Sequence, residues 1–284
     1  MTDLVVQGPP LAGPAREAII DRLEQATGTA AVPGPCSGGV RFPQVGPEQL
    51  RAPPDAPGCD IAFVPENKGL ADFKLLALDM DSTLIAVECI DELAAMAGIK
   101  PAVAQITASA MRGEIPFAES LRRRVALLSG LPEAALGRVY RERVRLSPGA
   151  ETLLEAARMH HVATLLVSGG FTWFTDRLRD RLGIDRARAN ELDVVQGALT
   201  GQIRGPVFDG DGKAEAVRAY AEELAVRREQ ILVIGDGAND LAMMKLAGAS
   251  VAFRAKPAVR AQADYALDYS GLEGVLNLFP PARP

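Results

Sequence analysis

The chain is short of the side chains on which several common kinds of enzyme site depend. It has only two histidines among its 284 residues, the adjacent His160 and His161, and this shortage nearly excludes catalysis built on histidine. The three cysteines, Cys36, Cys59 and Cys89, have spacings that fit neither a zinc site nor a disulfide framework. A chain with so few cysteines is expected in a reducing compartment, and we predict a cytoplasmic protein.

Long apolar runs and concentrated positive charge are missing as well. No uncharged apolar stretch is long enough to cross a bilayer, and the amino terminus lacks the basic start and apolar core of a signal peptide. The net charge is −5, and no long basic run offsets it. These absences argue against a membrane or a nucleic acid as partner. With 48% hydrophobic and 24% charged residues, the composition is that of an ordinary globular protein.

The amino-terminal quarter differs from the rest in composition. Eleven of the twenty prolines occur by Pro65. One helical pattern, from Ala15 to Gln25, lies between short strand-like runs at Leu4–Val6 and Ile61–Val64. We interpret residues 1–72 as a small, separate β/α domain that serves in packing or dimerisation, which leaves a homodimer open. Regulatory ligand binding is the alternative.

From Lys74 onward, continuous apolar strands alternate with amphipathic helices. The predicted strands are Leu75–Leu78, Val162–Val167, Ile231–Ile234, Val251–Phe253 and Tyr265–Leu267. This alternation is typical of a parallel sheet covered by helices on both faces. We therefore predict an α/β protein with a Rossmann-like parallel sheet over residues 73–284.

Two segments are longer than a simple strand-to-strand connection requires. Residues 87–145 carry four successive helical patterns, whereas a crossover needs only one helix. This insertion follows the first strand of the sheet, so we predict a helical cap subdomain above the ligand-binding edge, where a cap excludes water and contributes selectivity. Residues 189–205 have the pattern of a β-hairpin.

The most informative segment is the end of the first predicted strand, which runs into Asp79 and Asp81. Ligands bind at the carboxyl edge of a parallel sheet, and a strand that ends there presents both carboxylates to that edge. Two ionised carboxylates this close repel each other unless a cation or a shared proton relieves them. The pair therefore predicts a site of chemistry.

Further polar groups follow two other strands and begin one helix: Ser168-Gly169-Gly170, Asp236-Gly237-Ala238-Asn239-Asp240 and Lys213. Aspartates at separate strand ends suit a hard cation such as Mg²⁺, and a hydroxyl followed by glycines lets backbone amides approach an anion. Each piece alone is a common turn or a solvated side chain. Together, in this order, they predict a site for phosphoryl chemistry.

These segments resemble, in order, the four motifs of the haloacid dehalogenase superfamily. Within the superfamily the chain resembles the phosphoserine phosphatases from about Lys74 to the carboxyl terminus, and that similarity includes Glu88, Met111-Arg112-Gly113 and the segment 117–124. Residues 1–72 resemble only loosely the small regulatory, ACT-like domain that often precedes such enzymes. The resemblance implies Mg²⁺-dependent hydrolysis of a small-molecule substrate, O-phospho-L-serine, through an aspartyl-phosphate.

The resemblance also implies a role for each matching residue. Asp79 would be the nucleophile, and Asp81 would protonate the leaving oxygen and then deprotonate water. Mg²⁺ would be held by the carboxylates of Asp79 and Asp236 and the backbone carbonyl of Asp81. The remaining groups would bind or position the phosphate: Ser168, Gly169, Lys213, Asn239 and Asp240.

Selectivity for an amino-acid phosphate requires further groups near the cap. In the matching positions, Glu88 would bind the substrate ammonium, Arg124 would bind its carboxylate, and Met111 and Phe117 would line the pocket. The alternative is a structural role, with Glu88 at a helix start, Arg124 on an exposed face, and Met111 and Phe117 in the core. Three other functions stay open at this point: another small-molecule phosphatase, a phosphotransferase to an alcohol, and a non-catalytic sensor of phosphoserine or serine.

Overall fold

The computed structural model describes residues 1–50 and 54–281, so Arg51–Pro53 and the last three residues of the predicted large domain lie outside it. The described strands are β1 (Thr2–Gln7), β2 (Val32–Pro33), β3 (Gly39–Phe42), β4 (Asp60–Pro65), β5 (Leu75–Asp79), β6 (Ala163–Phe171), β7 (Arg186–Val195), β8 (Ala198–Arg204), β9 (Ile231–Gly235), β10 (Ala249–Phe253) and β11 (Tyr265–Leu267).

The described α-helices are α1 (Arg16–Thr27), α2 (Cys89–Met96), α3 (Lys100–Met111), α4 (Phe117–Ala126), α5 (Ala134–Glu142), α6 (Ala150–Met159), α7 (Thr172–Leu182), α8 (Gly210–Glu223), α9 (Leu241–Met244), α10 (Pro257–Arg260) and α11 (Gly274–Leu278). Among them, none combines the length and the apolar character needed to cross a bilayer.

Seven strands form the main sheet, in the order β11-β10-β9-β5-β6-β7-β8. All neighbours are parallel except β7 and β8, which form the hairpin predicted from the sequence. The prediction of an α/β protein with a Rossmann-like parallel sheet is therefore confirmed. Strand β5 lies between β6 and β9, and this brings the carboxyl ends of the three strands to one edge.

Burial on both faces explains why β5 is apolar along its length. All five of its residues are buried. Leu76 and Leu78 pack into the larger core, which also includes residues of the cap, while Leu75 and Ala77 pack on the other face against helix α8. A central parallel strand has no solvent-facing side, so it has no alternating pattern.

The four helices of the predicted cap are present as α2 to α5, between β5 and β6. Their apolar side chains, among them Leu121, Val125, Leu136 and Val139, are buried in the larger core. One boundary differs from prediction, because β6 continues through the Ser168-Gly169-Gly170 segment to Phe171. A register irregularity between Val167 and Phe171 accompanies this extension, and helix α7 begins directly after it.

A four-stranded antiparallel sheet, in the order β2-β3-β1-β4, forms the amino-terminal part of the fold. In β1, Leu4 and Val6 face a small core that includes residues of α1, whereas Val5 between them belongs to the larger core. Strands β2 and β3 were not predicted, because they are short and lie in a glycine- and proline-rich segment. The boundary of a domain at residue 72 stays a prediction.

Polar contacts connect this sheet to the carboxyl-terminal segment. The buried carboxylate of Asp60 accepts hydrogen bonds from the backbone N–H groups of Asp268, Tyr269 and Ser270. The Arg41 guanidinium donates to the backbone carbonyls of Asn277 and Leu278. Such contacts hold the amino-terminal sheet against the segment that follows β11.

Candidate active site

A pocket of about 870 Å³ lies between the carboxyl edge of the main sheet and the cap. Ten of the residues singled out from the sequence line it: Asp79, Asp81, Glu88, Met111, Phe117, Arg124, Ser168, Gly169, Asp236 and Asn239. Two others, Lys213 and Asp240, are fully buried directly behind Asp79. The structure therefore brings together in one place residues that are up to 161 positions apart in the chain (Asp79 to Asp240).

Lys213 is at the centre of a buried ionic cluster. Its Nζ donates to Asp79 Oδ1 at 2.5 Å and to Asp240 Oδ1 at 2.8 Å. Helix α8 places it there, because Asp209 caps the start of the helix by accepting from the N–H groups of Asp211 and Gly212. Burial lowers the pKa of Lys213, but the two aspartates more than offset this, so the pKa is raised and the side chain stays charged.

Asp240, the second carboxylate bonded to Lys213, orients the nearby Asp236. Asp240 Oδ2 accepts hydrogen bonds from the backbone N–H groups of Asp236 and Gly237, at 3.1 and 2.9 Å. The Thr83 hydroxyl donates to Asp236 Oδ1 at 3.2 Å. Asp236 is therefore held from both sides, through its backbone and its side chain, at the end of β9.

The acidic groups fit a divalent cation. Within the described residues, carboxylate oxygens of Asp79, Asp236 and Asp240 lie within 4.8 Å of one another. Burial and the neighbouring carboxylates raise the pKa of Asp79 well above its usual value and that of Asp236 to about 6. Three carboxylates face the single ammonium of Lys213, and when all three are ionised two negative charges are left over. Oxygen ligands with this charge suit a hard divalent ion.

Asp81 lies beside this cluster in a different environment. Its Oδ1 accepts from the backbone N–H of Cys89 at 2.9 Å, and its Oδ2 accepts from the Ser168 hydroxyl at 3.3 Å. Burial, together with the negative charge of Glu88, raises the pKa of Asp81 to about 7. A carboxyl group with this pKa can give up and take back a proton near neutral pH.

Close packing explains the two glycines after Ser168. A Cβ at Gly170 would lie 2.6 Å from Asp81 Oδ2, and one at Gly169 would lie 2.9 Å from the ring of Phe117 on the cap. The buried side chain of Asn190 donates to the carbonyls of Gly169 and Phe208 and so connects this segment to the approach to α8. Only glycine at these two positions allows the end of β6, the Asp81 carboxyl group and the cap to approach one another this closely.

The cap contributes two charged groups to the pocket wall. Glu88 is exposed, and its Oε1 accepts from the Ser82 hydroxyl at 2.8 Å. Arg124 is only 9% exposed, and its Nε donates at 3.4 Å to the backbone carbonyl of Ser120. Burial lowers the pKa of Arg124, and the nearby Asp91 and Glu88 partly offset this. The prediction that Arg124 faces the pocket, and not solvent, is thus supported by its position.

The predicted apolar lining is divided between the interior and the rim. Phe117 packs against Gly169, whereas Met111 is 64% exposed and its Sδ lies 4.0 Å from Lys256 Nζ on the opposite side of the pocket. Met111 therefore lies at the rim of the pocket.

Sequence reasoning missed several lining residues, among them Asp91, Ser120 and Lys256. The Ser120 hydroxyl is buried and has no hydrogen-bond partner among the described residues. Ser120 is one helical turn before Arg124, and Asp91 is three residues after Glu88, so helical spacing from the predicted cap residues would have indicated both. No nearby sequence pattern indicates Lys256, because only the tertiary fold brings this residue to the pocket.

Comparisons with known proteins agree with this site. The model of the haloacid dehalogenase-like hydrolase family matches residues 76–245. A phosphoserine phosphatase of a Polaromonas species is 49% identical over 228 residues, which are 78% of this chain and 97% of that protein.

Solved structures agree as well. A probable phosphoserine phosphatase of Vibrio cholerae superposes with a TM-score of 0.83 at 34% identity, over 99% of this chain and 87% of that one. A phospho-aspartyl intermediate analogue of a phosphoserine phosphatase superposes with a TM-score of 0.69 at 37% identity, over 73% of this chain and 99% of that one.

The chain belongs to the haloacid dehalogenase-like hydrolases. It is an enzyme of that family, and the sheet, the cap and the carboxylates at the strand ends form the candidate site. Phosphatases of this family generally use a divalent metal, and the cluster of Asp79, Asp236 and Asp240 is the acidic group in the described residues that fits one.

Proposed function

We propose that this hydrolase converts O-phospho-L-serine to L-serine and inorganic phosphate with Mg²⁺ as its cofactor, as the last step of serine biosynthesis. The observation that carries the proposal is the composition of the pocket. Carboxylates suited to phosphoryl transfer form one wall, and a carboxylate and a buried guanidinium, Glu88 and Arg124, stand on the other. Phosphoserine has the complementary groups: a phosphate, an ammonium and a carboxylate.

Asp79 is the proposed nucleophile. Its Oδ1 is bound by Lys213, which orients the carboxylate and leaves Oδ2 to attack phosphorus. The bond from phosphorus to the serine oxygen breaks as the new bond to Asp79 forms, and the product is an aspartyl-phosphate. Covalent catalysis of this kind divides one difficult hydrolysis into two easier steps.

Asp81 is the proposed general acid and base. In the first step its carboxyl group gives a proton to the departing serine oxygen, which requires the protonated form. A pKa of about 7 keeps a substantial protonated fraction near neutral pH. In the second step the Asp81 carboxylate takes a proton from water, the water oxygen attacks phosphorus, and the bond to Asp79 breaks.

The remaining residues are assigned to charge stabilisation. Mg²⁺ would be held by the carboxylates of Asp79 and Asp236 and the backbone carbonyl of Asp81, and it would neutralise charge on the phosphoryl group. Asp240, whose oxygens are bonded to Lys213 and to backbone N–H groups, would support this site from behind Asp79. Ser168, Gly169 and Asn239 line the pocket where the phosphate would bind. Lys213 acts from behind Asp79, where its charge offsets that of the buried carboxylates.

Recognition of the serine part is assigned to the cap. Glu88 would bind the ammonium, and Arg124 would bind the carboxylate through its unused donors. In support, the only hydrogen bond of the Arg124 guanidinium within the described residues is the long one to Ser120, although the side chain is almost completely buried. A buried guanidinium with unmet donors is unfavourable unless a ligand completes it.

The test is a substrate panel in which one recognition group is removed at a time. O-phospho-L-serine is compared with phosphoethanolamine, which lacks the carboxylate, with 3-phosphooxypropanoate, which lacks the ammonium, and with p-nitrophenyl phosphate. With Mg²⁺ present, kcat/KM is expected to be highest for phosphoserine and lower for both single-group analogues. Equal values across the panel, or full activity after treatment with EDTA, would contradict the proposal.

The location and the assembly of the enzyme stay proposals too. The three cysteines, Cys36, Cys59 and Cys89, are unpaired, and this supports a cytoplasmic location. A homodimer formed through the amino-terminal sheet is the proposal for its assembly, and sedimentation of the purified chain would test it.

A further inference from the structure

Ser82 combines an unusual backbone conformation with a contact to the cap. Its φ angle is 60°, in the left-handed region that a serine side chain rarely adopts and that glycine adopts without strain. Its hydroxyl donates to Glu88 Oε1 at 2.8 Å. Because glycine would adopt this backbone conformation with less strain, the presence of serine indicates that the hydroxyl has a function.

Glu88 needs such a partner. It precedes helix α2 and its side chain is exposed, and among the described residues only the Ser82 hydroxyl donates a hydrogen bond to its carboxylate. Asp81 and Asp236 lie close enough to be affected by its charge, so the acidic sheet edge repels it. An exposed glutamate has several rotamers of similar energy, and repulsion favours those that point away from the pocket.

We propose that Ser82 is a positioning residue for substrate selectivity: its hydroxyl holds the Glu88 carboxylate at the pocket wall, where the carboxylate recognises a primary ammonium of the substrate. This inference rests on the proposed function, because it takes Glu88 as the ammonium-binding group. Ser82 belongs to the turn that follows Asp81, so one turn of the core places both the general acid and, through the hydroxyl, the selectivity group of the cap.

The experiment measures amine discrimination, defined as kcat/KM for phosphoserine divided by kcat/KM for 3-phosphooxypropanoate. Both substrates use the same phosphoryl chemistry, so effects of a variant on Asp79 or Asp81 largely cancel in the ratio. Ser82→Gly and Ser82→Ala both remove the hydroxyl, and each is expected to lower the ratio about three- to tenfold, mostly through KM for phosphoserine. Ser82→Asn keeps a hydrogen-bond donor on a side chain that tolerates the left-handed conformation, and it is expected to retain more of the parent ratio than Ser82→Ala.

Backbone strain is separated from the hydroxyl effect by stability. Ser82→Gly is expected to melt at the same temperature as the parent or higher, because glycine relieves the left-handed conformation, while Ser82→Ala keeps the strain. If both variants lose discrimination in spite of different melting temperatures, the loss belongs to the hydroxyl. Ser109→Ala, on helix α3 outside the pocket lining, is the matched control and is expected to keep the parent ratio.

A double-variant cycle decides whether Ser82 acts through Glu88. Glu88→Ala alone is expected to lower discrimination, and adding Ser82→Gly to it is expected to cause no further loss. If Glu88→Ala lowers the ratio while Ser82→Gly and Ser82→Ala leave it unchanged, the positioning role is wrong and the proposed function stands. If Glu88→Ala itself leaves the ratio unchanged, the ammonium assignment fails, and the role of Ser82 fails with it.

Discussion

The two walls of the pocket differ in how many partners the protein itself supplies to their charged groups. On the sheet edge, Asp79 and Asp240 share the Lys213 ammonium, and Asp236 is held by the Thr83 hydroxyl. On the cap, Arg124 has one long hydrogen bond to a carbonyl. The fold thus completes the groups that would carry out chemistry, whereas on the cap it holds Glu88 through Ser82 and leaves Arg124 for the substrate to complete.

This difference has a physical reason. A reacting carboxylate gains from being fixed before the substrate arrives, since reorganisation during the reaction would add to its barrier. A recognition group gains from being incomplete, because its unmet hydrogen-bonding capacity becomes binding free energy when the correct ligand enters. The sheet edge is continuous with the central strand β5, whereas the cap is an insertion after it.

The largest expected effect comes from the sheet edge. Asp79→Asn removes the proposed nucleophile but keeps a side chain of the same size, so turnover of phosphoserine should fall by about 10⁴-fold or more. The circular-dichroism spectrum should stay that of the folded parent. Turnover within tenfold of the parent value would rule out the covalent mechanism.

The two buried cations should respond oppositely when each is replaced by methionine. Lys213→Met leaves Asp79 and Asp240 without their counter-charge, so the free energy of unfolding at pH 8 should fall by about 3 kcal/mol. Arg124→Met removes a buried charge that forms no ion pair with a carboxylate within the described residues, so stability should stay the same or rise by up to about 1 kcal/mol.

Urea unfolding of the EDTA-treated protein measures both changes. Lys74→Met, which replaces an exposed lysine, is the control and should shift the free energy of unfolding by less than about 0.5 kcal/mol. Equal losses of unfolding free energy in the Lys213 and Arg124 variants would show that the protein supplies partners to the charged groups of both walls to the same degree.

The residues at the sheet edge could be predicted from the sequence because local patterns determine their positions. An apolar run that ends in aspartate places that aspartate at the carboxyl end of a buried strand, and the parallel topology brings such ends together. Asp79, Ser168 and Asp236 therefore lie together at the carboxyl edge of the sheet, as the sequence predicted. The partnership of Lys213 was not predictable in the same way. It was expected at the phosphate, and its position behind Asp79 depends on how far helix α8 is set from β5.

The cap side was less predictable because its contacts join separate turns of the chain. The hydrogen bond from Ser82 to Glu88 depends on a left-handed φ that no residue preference at Ser82 indicates. The contact between Lys256 and Met111 joins the loop before α10 to the end of α3. Strands β2 and β3 were missed for a related reason, since strands of two and four residues in a proline-rich segment are fixed by the strands beside them.

A smaller effect, on binding, tests the cap wall directly. Arg124→Ala should raise KM for phosphoserine about 10- to 100-fold, because the substrate carboxylate loses a charge-assisted, two-point contact. KM for phosphoethanolamine, which has no carboxylate, should change by less than about threefold. Arg123→Ala is the matched control, since Arg123 is exposed and pairs with Glu119 on the outer face of α4. Parallel increases for both substrates would assign Arg124 a structural role.

A further expected effect is the pH dependence of stability, which measures how strongly the sheet edge resists full ionisation. The folded-state pKa of Asp81 is about 7 and that of Asp236 about 6, both above the unfolded value of 3.8. Between about pH 4 and pH 7 the folded protein binds more protons than the unfolded chain, so these groups lower stability as the pH rises. Above pH 7 their contribution should level off.

Thermal melts of the EDTA-treated parent and of Asp81→Asn, at each half unit from pH 5 to pH 8.5, isolate the contribution of Asp81. The melting temperature of the variant relative to the parent should rise with pH by about 5 to 10 °C and then become constant. Millimolar Mg²⁺ should raise the melting temperature of the parent more at pH 8 than at pH 5, because the cation binds the ionised carboxylates. A relative melting temperature that falls with pH would mean that Asp81 is ionised at low pH in the fold, and general acid catalysis by this residue would then lose its basis.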